Sequence, residues 1–173
     1  MTADLKARVR DIPDFPRPGV VFKDIMPLLE DPEAFHEAVD RLAAFAEPRE
    51  PELVLGAEAR GFILGGALAY RLGTGFLAAR KPGKLPARTV SAQYALEYGV
   101  DSLELHDDAI RPGTRVLIHD DLLATGGTAK AKIDLVERSG GIVVGIAFLI
   151  ELVFLNGRER LAGHDIFSVI QYP

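Results

Sequence analysis

The sequence contains no cysteine, which excludes disulfide bonds, thiolate-bound metals, iron–sulfur clusters and cysteine nucleophiles. It also lacks long apolar runs. The longest, Ile63 to Tyr70 and Ile142 to Ile150, fall well short of the roughly 20 residues that a membrane-spanning helix needs. The N-terminus carries charges where a signal peptide has its apolar segment. We therefore expect a cytoplasmic protein without a membrane partner.

Acidic residues are missing from positions 59–96, although the whole chain has a net charge of −5. The overall acidity argues against nucleic acid as a partner. The acid-free stretch does contain basic residues, namely Arg60, Arg71, Arg80, Lys81, Lys84 and Arg88. They are either ordinary solvated side chains or a local positive surface for a small, highly charged anion, and we favour the second interpretation.

The length of 173 residues and the apolar content of 48% are typical of one globular domain, here residues 1–173. Short strands that are apolar on both faces alternate with helices, which predicts an α/β fold with a mostly parallel central sheet flanked by helices. One helix is expected from Asp31-Pro32 to about Ala46, and the last long strand over residues 142–150. Nearer the N-terminus we expect a short helix over residues 2–11 and an irregular, proline-rich loop over residues 13–23.

Residues 81–110 interrupt this alternation. Short extended pieces are predicted at 89–90, 94–98 and 103–106, and the segment is too long for a routine connection between a strand and a helix. Inserts of this kind usually form lids or binding loops, so we expect a flexible lid over about residues 81–110.

The most informative segment runs from Arg115 to Leu135. Its apolar strand is predicted to present Asp120 and Asp121 at its C-terminal end, where ligands bind in open parallel sheets. The loop before the next helix consists of small residues, namely Ala124, Thr125, Gly126, Gly127 and Thr128. Backbone amides of such a loop suit a phosphate, and the carboxylates suit vicinal hydroxyls. The segment therefore predicts a sugar-phosphate site, the alternative being a strand end followed by a capped helix.

Within this segment, HDDLLATGGT resembles the phosphoribosyl-diphosphate (PRPP) binding motif of the type I phosphoribosyltransferases. Together with FPRPGVVFKDI, GAEARGF, RKPGKLP, YALEYG and the tail GRERL…FSVIQYP, it resembles the adenine phosphoribosyltransferases over about residues 11–173. The resemblance implies the fold of that family, with a small N-terminal hood over about residues 11–30. It also implies a homodimer and a purine-salvage reaction, in which adenine and PRPP give AMP and diphosphate.

The resemblance also assigns roles to residues. It places the 5′-phosphate on residues 124–128 and the ribose hydroxyls on Asp120 and Asp121. The implied diphosphate site comprises Glu58, Ala59, Arg60, Arg80, Lys81 and Lys84, and the implied adenine site comprises Val21, Phe22, Lys23 and Leu152. Glu97 is the implied catalytic group, which handles the N9 proton. We expect Mg²⁺ to bind mainly through PRPP and diphosphate, with few or no protein ligands, because it usually keeps waters and substrate oxygens.

Two other functions stay open. One is a phosphoribosyltransferase for hypoxanthine, guanine or xanthine, in which Lys23 would recognise an exocyclic oxygen. The other is a non-catalytic regulator that senses PRPP, which is disfavoured because no residues are left for a DNA-binding module. His119 stands where the family usually has a small aliphatic residue, and we expect it to be a core histidine with satisfied hydrogen bonds rather than a proton carrier.

Overall fold

The computed structural model describes residues 4–96 and 99–173, whose strands form three sheets. The strands are β1 (Arg10–Pro13), β2 (Val21–Asp24), β3 (Leu53–Ala57), β4 (Gly75–Ala79), β5 (Thr89–Leu96), β6 (Gly99–His106), β7 (Arg115–Leu123), β8 (Ile142–Leu152) and β9 (Ile166–Tyr172). The central sheet has the order β4-β3-β7-β8-β9, and each neighbouring pair in it is parallel. β1 with β2, and β5 with β6, form separate antiparallel pairs.

The helices cover both faces of the central sheet, which confirms the predicted fold class. They are α1 (Met26–Glu30), α2 (Pro32–Ala46), α3 (Gly61–Leu72) and α4 (Gly127–Arg138). Alternate strand residues point to opposite faces. Val54 and Leu117 accordingly pack in a core with α2 and α3, whereas Leu55 and Ile118 pack in a core with α4. None of the helices in the described part of the chain has the length and apolar character needed to cross a membrane.

The ends of two helices follow the sequence signals. The side chain of Asp31 accepts hydrogen bonds from the amides of Glu33 and Ala34 and caps α2, whose first residue is Pro32. Gly73 ends α3 in a left-handed conformation with φ = 68°, a conformation that glycine adopts without strain.

The N-terminal predictions are partly wrong. Instead of a helix over residues 2–11, the described part has a 3-10 turn at Lys6–Arg8 followed by β1. The irregular loop was predicted over residues 13–23, but Pro13 ends β1, and residues 21–23 belong to β2, which pairs with β1. Pairing between the two segments outweighs the local helical pattern, and the prolines between them lie in the connecting loop, where they cost no ladder hydrogen bond.

Two strands were missed or predicted too short. β8 continues two residues past the predicted end at Ile150, and β9 follows it as a further parallel strand. β9 lies at the edge of the sheet, and the polar residues Ser168 and Gln171 interrupt its apolar pattern. Most residues of β9 are only half-buried, and such a strand does not need the continuous apolar run that marks a central strand.

The insert after β4 forms the β5–β6 hairpin, in which Thr89 pairs with His106. Its described strands pack on the sheet: Ala92, Leu103 and Leu105 are buried in the same core as α4. The base of the insert is therefore part of the main core.

Candidate active site

A cavity of about 420 Å³ opens at the carboxyl ends of β3 and β7. The chain passes from β3 to β4 on one side and from β7 to β8 on the other, so the cavity lies where the strand order reverses. Ligands of open α/β sheets bind at this kind of position. The walls are residues 57–60, residues 120–129, Lys81, Tyr94 and Leu103.

The small-residue loop, Ala124 to Thr128, forms one wall of the cavity. Gly126, the residue before α4, has φ = 83°. A Cβ atom at this position would lie 2.6 Å from the carbonyl oxygen of Gly157, so only glycine fits without a shift of the backbone. The first turn of α4 adds amides that have no partner within the helix, and these suit an anion.

The carboxylate pair lies inside β7 and not at its end, which corrects the predicted boundary of the strand. β7 continues to Leu123 because it pairs with β8 as far as Glu151. Asp120 and Asp121 nonetheless line the cavity, with side chains that are 12% and 11% exposed. Their oxygens are therefore largely withdrawn from water and depend on protein partners.

Each carboxylate has its own cation. Lys132 donates from Nζ to Asp120 Oδ2 over 2.6 Å, and Arg60 Nε lies 2.9 Å from Asp121 Oδ2. Burial, followed by the charge of Asp120, raises the pKa of Asp121, although Arg60 and Lys132 oppose this rise. Each carboxylate at the floor of the cavity is therefore paired with one cation.

Sequence reasoning missed Lys132. In α4 it lies on the apolar face formed by Ala129, Ile133 and Val136, all of which are buried. A lysine at this helical spacing, three residues after one core position and one before the next, was the available signal.

Glu58 binds two other residues of the predicted diphosphate site, Arg80 and Lys81. Its Oε1 accepts a hydrogen bond from the Lys81 amide over 2.5 Å, and its Oε2 accepts one from Arg80 over 3.1 Å. The Lys81 bond, aided by Arg80 and opposed by desolvation, lowers the pKa of Glu58. The ammonium of Lys81 contacts Asp101 and donates to the Tyr94 hydroxyl over 2.9 Å. The sequence did not single out Tyr94 and Asp101, which come from the hairpin and orient Lys81.

The structure separates the predicted diphosphate residues into two groups. The cavity is lined by Glu58, Ala59, Arg60 and Lys81. Arg80 and Lys84 lie outside the lining: Arg80 is half-buried beside Glu58, and Lys84 is exposed.

None of the predicted adenine residues belongs to the lining of the cavity, although Phe22 contacts the lining residue Arg60. Phe22 is half-buried, and the guanidinium carbon of Arg60 lies 4.8 Å from the centre of its ring. Val21 is exposed, and Lys23 forms an ion pair with Asp11 over 2.6 Å. Leu152 is half-buried against the core beneath α1 and α2. Arg60 thus connects Phe22 with the carboxylate pair.

Two further predictions concern single residues. Glu97 lies outside the described residues, so its role stays a prediction. His119 is fully buried, as expected of a core residue, and burial lowers its pKa to about 4, which leaves the ring neutral near pH 7. The expected hydrogen bonds are absent, because neither ring nitrogen has a partner of normal geometry among the described residues.

Most of the chain is similar in sequence to known phosphoribosyltransferases. The family model of the phosphoribosyl transferase domain matches residues 29–167. An adenine phosphoribosyltransferase of Rubrobacter xylanophilus is 59% identical over 169 residues, which cover 97% of this chain and 91% of the relative. The chain belongs to the adenine phosphoribosyltransferase family.

Solved structures of adenine phosphoribosyltransferases agree with this assignment. The structure from Thermoanaerobacter pseudethanolicus superposes with a TM-score of 0.96 at 55% identity, covering 99% of this chain and 100% of that one. The structure from Saccharomyces cerevisiae, solved with an iminoaltritol bisphosphate and adenine, gives 0.92 at 36% identity and covers 96% of each chain. The family resemblance inferred from the motifs is confirmed.

Proposed function

We propose that this chain transfers the 5-phosphoribosyl group of PRPP to N9 of adenine, which forms AMP and releases diphosphate. One observation carries the proposal: a single cavity joins the small-residue loop, the buried carboxylate pair, and the cations Arg60 and Lys81. A substrate with a phosphate, vicinal hydroxyls and a second polyanionic group matches these three features. Membership of the adenine phosphoribosyltransferase family supports adenine as the base.

PRPP is proposed to span the cavity. Its 5′-phosphate accepts hydrogen bonds from residues 124–128, and its ribose hydroxyls donate to Asp120 and Asp121. The diphosphate faces Glu58–Arg60 and Lys81. Arg60 uses Nε for its ion pair with Asp121, and a guanidinium carries five N–H donors in all, so the terminal nitrogens can still bind an anion. Arg80 and Lys84, which lie outside the lining, are proposed to add longer-range positive charge.

Adenine is proposed to bind next to the ribose, under the hood of about residues 11–30. Phe22 stacks on the base, backbone groups of Val21 and Lys23 bind its polar edge, and Leu152 covers the opposite face. The contact between Phe22 and Arg60 supports this placement, because Arg60 lines the cavity beside the carboxylates. N9 then lies close to C1′ of the ribose.

The reaction forms the N9–C1′ bond while the bond from C1′ to the diphosphate oxygen breaks. Asp120 and Asp121 hold the ribose hydroxyls as C1′ gains oxocarbenium character, and Arg60 and Lys81 stabilise the negative charge on the leaving group. Glu97 is proposed to accept the proton from N9, so that the adenine ring of AMP is uncharged. The electron pair of the broken bond stays on the diphosphate.

The residues that line the cavity fit a Mg²⁺ ion that is held mainly by substrate. Arg60 and Lys132 already pair with the two carboxylates, and Mg²⁺ tolerates few protein ligands when water and phosphate oxygens complete its shell. When bound, Mg²⁺ neutralises part of the diphosphate charge. Loss of activity on chelation, restored by added Mg²⁺, would test this requirement.

Residues 1–173 are proposed to act as one domain, with the segment of about 81–110 as a lid. The cytoplasmic location and the homodimer are proposed from the family resemblance. Sedimentation of the purified chain tests the dimer, and proteolysis with and without PRPP tests whether substrate orders the lid.

Initial rates with adenine, hypoxanthine, guanine and xanthine at a fixed PRPP concentration test the proposed activity. We expect kcat/KM for adenine to exceed each of the others by roughly 100-fold or more, since a site that hydrogen-bonds one base edge leaves its groups unpaired against the wrong base. Preference for an oxo-purine would indicate a different phosphoribosyltransferase. PRPP binding without turnover of any base would indicate a regulator.

Replacement of Glu97 by glutamine tests the proton acceptor. We expect kcat to fall by about 10²–10⁴-fold in single-turnover measurements while KM for PRPP stays nearly unchanged, because glutamine keeps the shape but cannot accept the N9 proton. Asp108→Asn, at an exposed position of the same insert, is the matched control and should keep kcat within about twofold, as surface substitutions usually do. A rise in KM for PRPP with kcat intact would make Glu97 an anchor of the lid.

A further inference from the structure

Lys132 occupies a position where a charge is costly. Its side chain is fully buried in α4, on a helix face whose other buried members, including Ala129, Ile133 and Val136, are apolar. Buried ion pairs of this kind often contribute no more stability than apolar residues of similar volume. The charge of Lys132 therefore points to a role other than packing.

The contacts of Lys132 converge on one group. Its ammonium donates to Asp120 Oδ2 over 2.6 Å and to the carbonyl oxygen of His119 over 2.9 Å. Lys132 thus links the Asp120 carboxylate to the backbone of the preceding residue. The other oxygen, Oδ1, accepts a hydrogen bond from the Asp121 amide over 3.1 Å. Both oxygens of Asp120 are thus held in one orientation before any substrate binds.

Among the described residues, Lys132 is one of the two cations that form ion pairs with the carboxylates. The other is Arg60, from the turn after β3, and His119, beside them on β7, is neutral near pH 7. The charge of Lys132 lowers the pKa of Asp121. Without it, two adjacent carboxylates would share a single cation.

We propose that Lys132 is a positioning residue of the ribose site, which fixes the Asp120 carboxylate in the orientation that binds the hydroxyls of PRPP. Lys132 does not line the cavity and acts through Asp120. The proposal rests on the ribose role proposed for Asp120 above.

Lys132→Met removes the charge and retains the length of the side chain. We expect KM for PRPP to rise about tenfold, the change that follows from loss of a charge-assisted hydrogen bond, with KM for adenine within about twofold of wild type. The acidic limb of the kcat/KM profile for PRPP should move to higher pH, because the charge of Lys132 no longer lowers the pKa of Asp121. Lys130→Met is the matched control: Lys130 is exposed on the same helix and pairs with Asp134, and its loss should leave both KM values unchanged.

A double-mutant cycle separates positioning from a general effect on the fold. Asp120→Asn should itself raise KM for PRPP, and in that background Lys132→Met should add less than about twofold, because its target is gone. If Lys132→Met alone does not fold, the double variant and Asp120→Asn still allow this comparison, and equal KM values support the proposal.

Three results would overturn it: a folded Lys132→Met with wild-type KM for PRPP, an equal rise in both KM values, or a full additional rise in the Asp120→Asn background. If Asp120→Asn kept the wild-type KM for PRPP, the ribose role of Asp120 would fail, and this proposal with it. A raised KM for Asp120→Asn beside a normal Lys132→Met would overturn the Lys132 proposal alone.

Discussion

The PRPP side of the site and its hood are built in opposite ways. The PRPP side belongs to the central sheet: β7 pairs with a strand on each side, and its carboxylates are almost enclosed. Among the strands of the described residues, β1 and β2 of the hood pair only with each other. Phe15 and Val21 of the hood are 51% and 48% exposed.

The ion pairs of the two regions also differ in how far they are exposed to solvent. Both Lys132 and Asp120 are enclosed, whereas Lys23, itself 10% exposed, pairs with an aspartate, Asp11, whose side chain is 55% exposed. A region with few buried contacts opens and shifts at low free-energy cost. The difference indicates that the PRPP side is set before substrate arrives, while the hood can adjust around the base. Substitutions in the two regions should therefore alter different kinetic constants.

The largest effect on this comparison is expected from Gly126→Val in the phosphate loop. A β-branched residue is strained at φ = 83°, and its Cβ would lie 2.6 Å from the Gly157 carbonyl oxygen, so the loop must move away from the phosphate. We expect kcat/KM for PRPP to fall by more than roughly 100-fold, since strain and lost phosphate contacts combine. Steady-state kinetics with varied PRPP measure this.

Thr128→Ala is the matched control in the same loop. It removes one hydroxyl donor among several, and a typical hydrogen bond contributes about 0.5–1.5 kcal/mol, so the loss should stay near tenfold or below. Equal and mild effects of both substitutions would contradict the assignment of this loop to the 5′-phosphate.

The next effect concerns Asp121 and pH. Because burial and Asp120 raise its pKa, kcat/KM for PRPP should fall as the pH drops through a range above that of an ordinary carboxyl group. Asp121→Asn should lower kcat/KM for PRPP by about 10–150-fold, the equivalent of 1.5–3 kcal/mol, and move the acidic limb to lower pH. An unchanged limb in this variant would assign the limb to another group.

The sequence was most informative about the PRPP side, and the reason is physical. The segment from β7 to α4 combines a strand that is apolar on both faces, adjacent carboxylates and a glycine turn, and each of these signals is local. The position of Asp120 and Asp121 within β7 could not be predicted from nearby residues, because the end of that strand is set by its pairing with β8. Lys132 was missed for a similar reason, since only the packing of α4 on the sheet brings it to Asp120.

The hood was less predictable because β1 and β2 are stabilised by pairing with each other. Residues 10–13 and 21–24 carry weak patterns, and their pairing across a proline-rich loop cannot be found from either segment alone. The base of the hairpin is a related case: Leu103 and Leu105 are apolar in the sequence, but their burial depends on contact with the core around α4.

A moderate effect restricted to adenine is expected from Phe22→Ala. Stacking of a base on an aromatic side chain is worth about 1–3 kcal/mol, so KM for adenine should rise about tenfold while KM for PRPP changes little. Phe15→Ala is the matched control, because its ring contacts Phe22 edge-on at 5.2 Å but was not predicted to touch the base. A rise in KM for PRPP comparable with that for adenine would show that Phe22 acts mainly through Arg60.

The smallest effect is expected from Asp11→Asn, which breaks the ion pair of Lys23 at the surface of the hood. Pairs this exposed contribute less than about 1 kcal/mol, so KM for adenine should change less than about twofold. Lys23 would keep its other contact, since its ammonium lies 3.9 Å from the centre of the Tyr172 ring near the C-terminus. Adenine kinetics at low and high salt measure the pair directly, because screening should abolish whatever it contributes in the wild type and leave the variant unchanged. A tenfold rise in KM for adenine would instead mean that this surface pair fixes the hood, and the contrast between a rigid PRPP side and an adjustable base side would not hold.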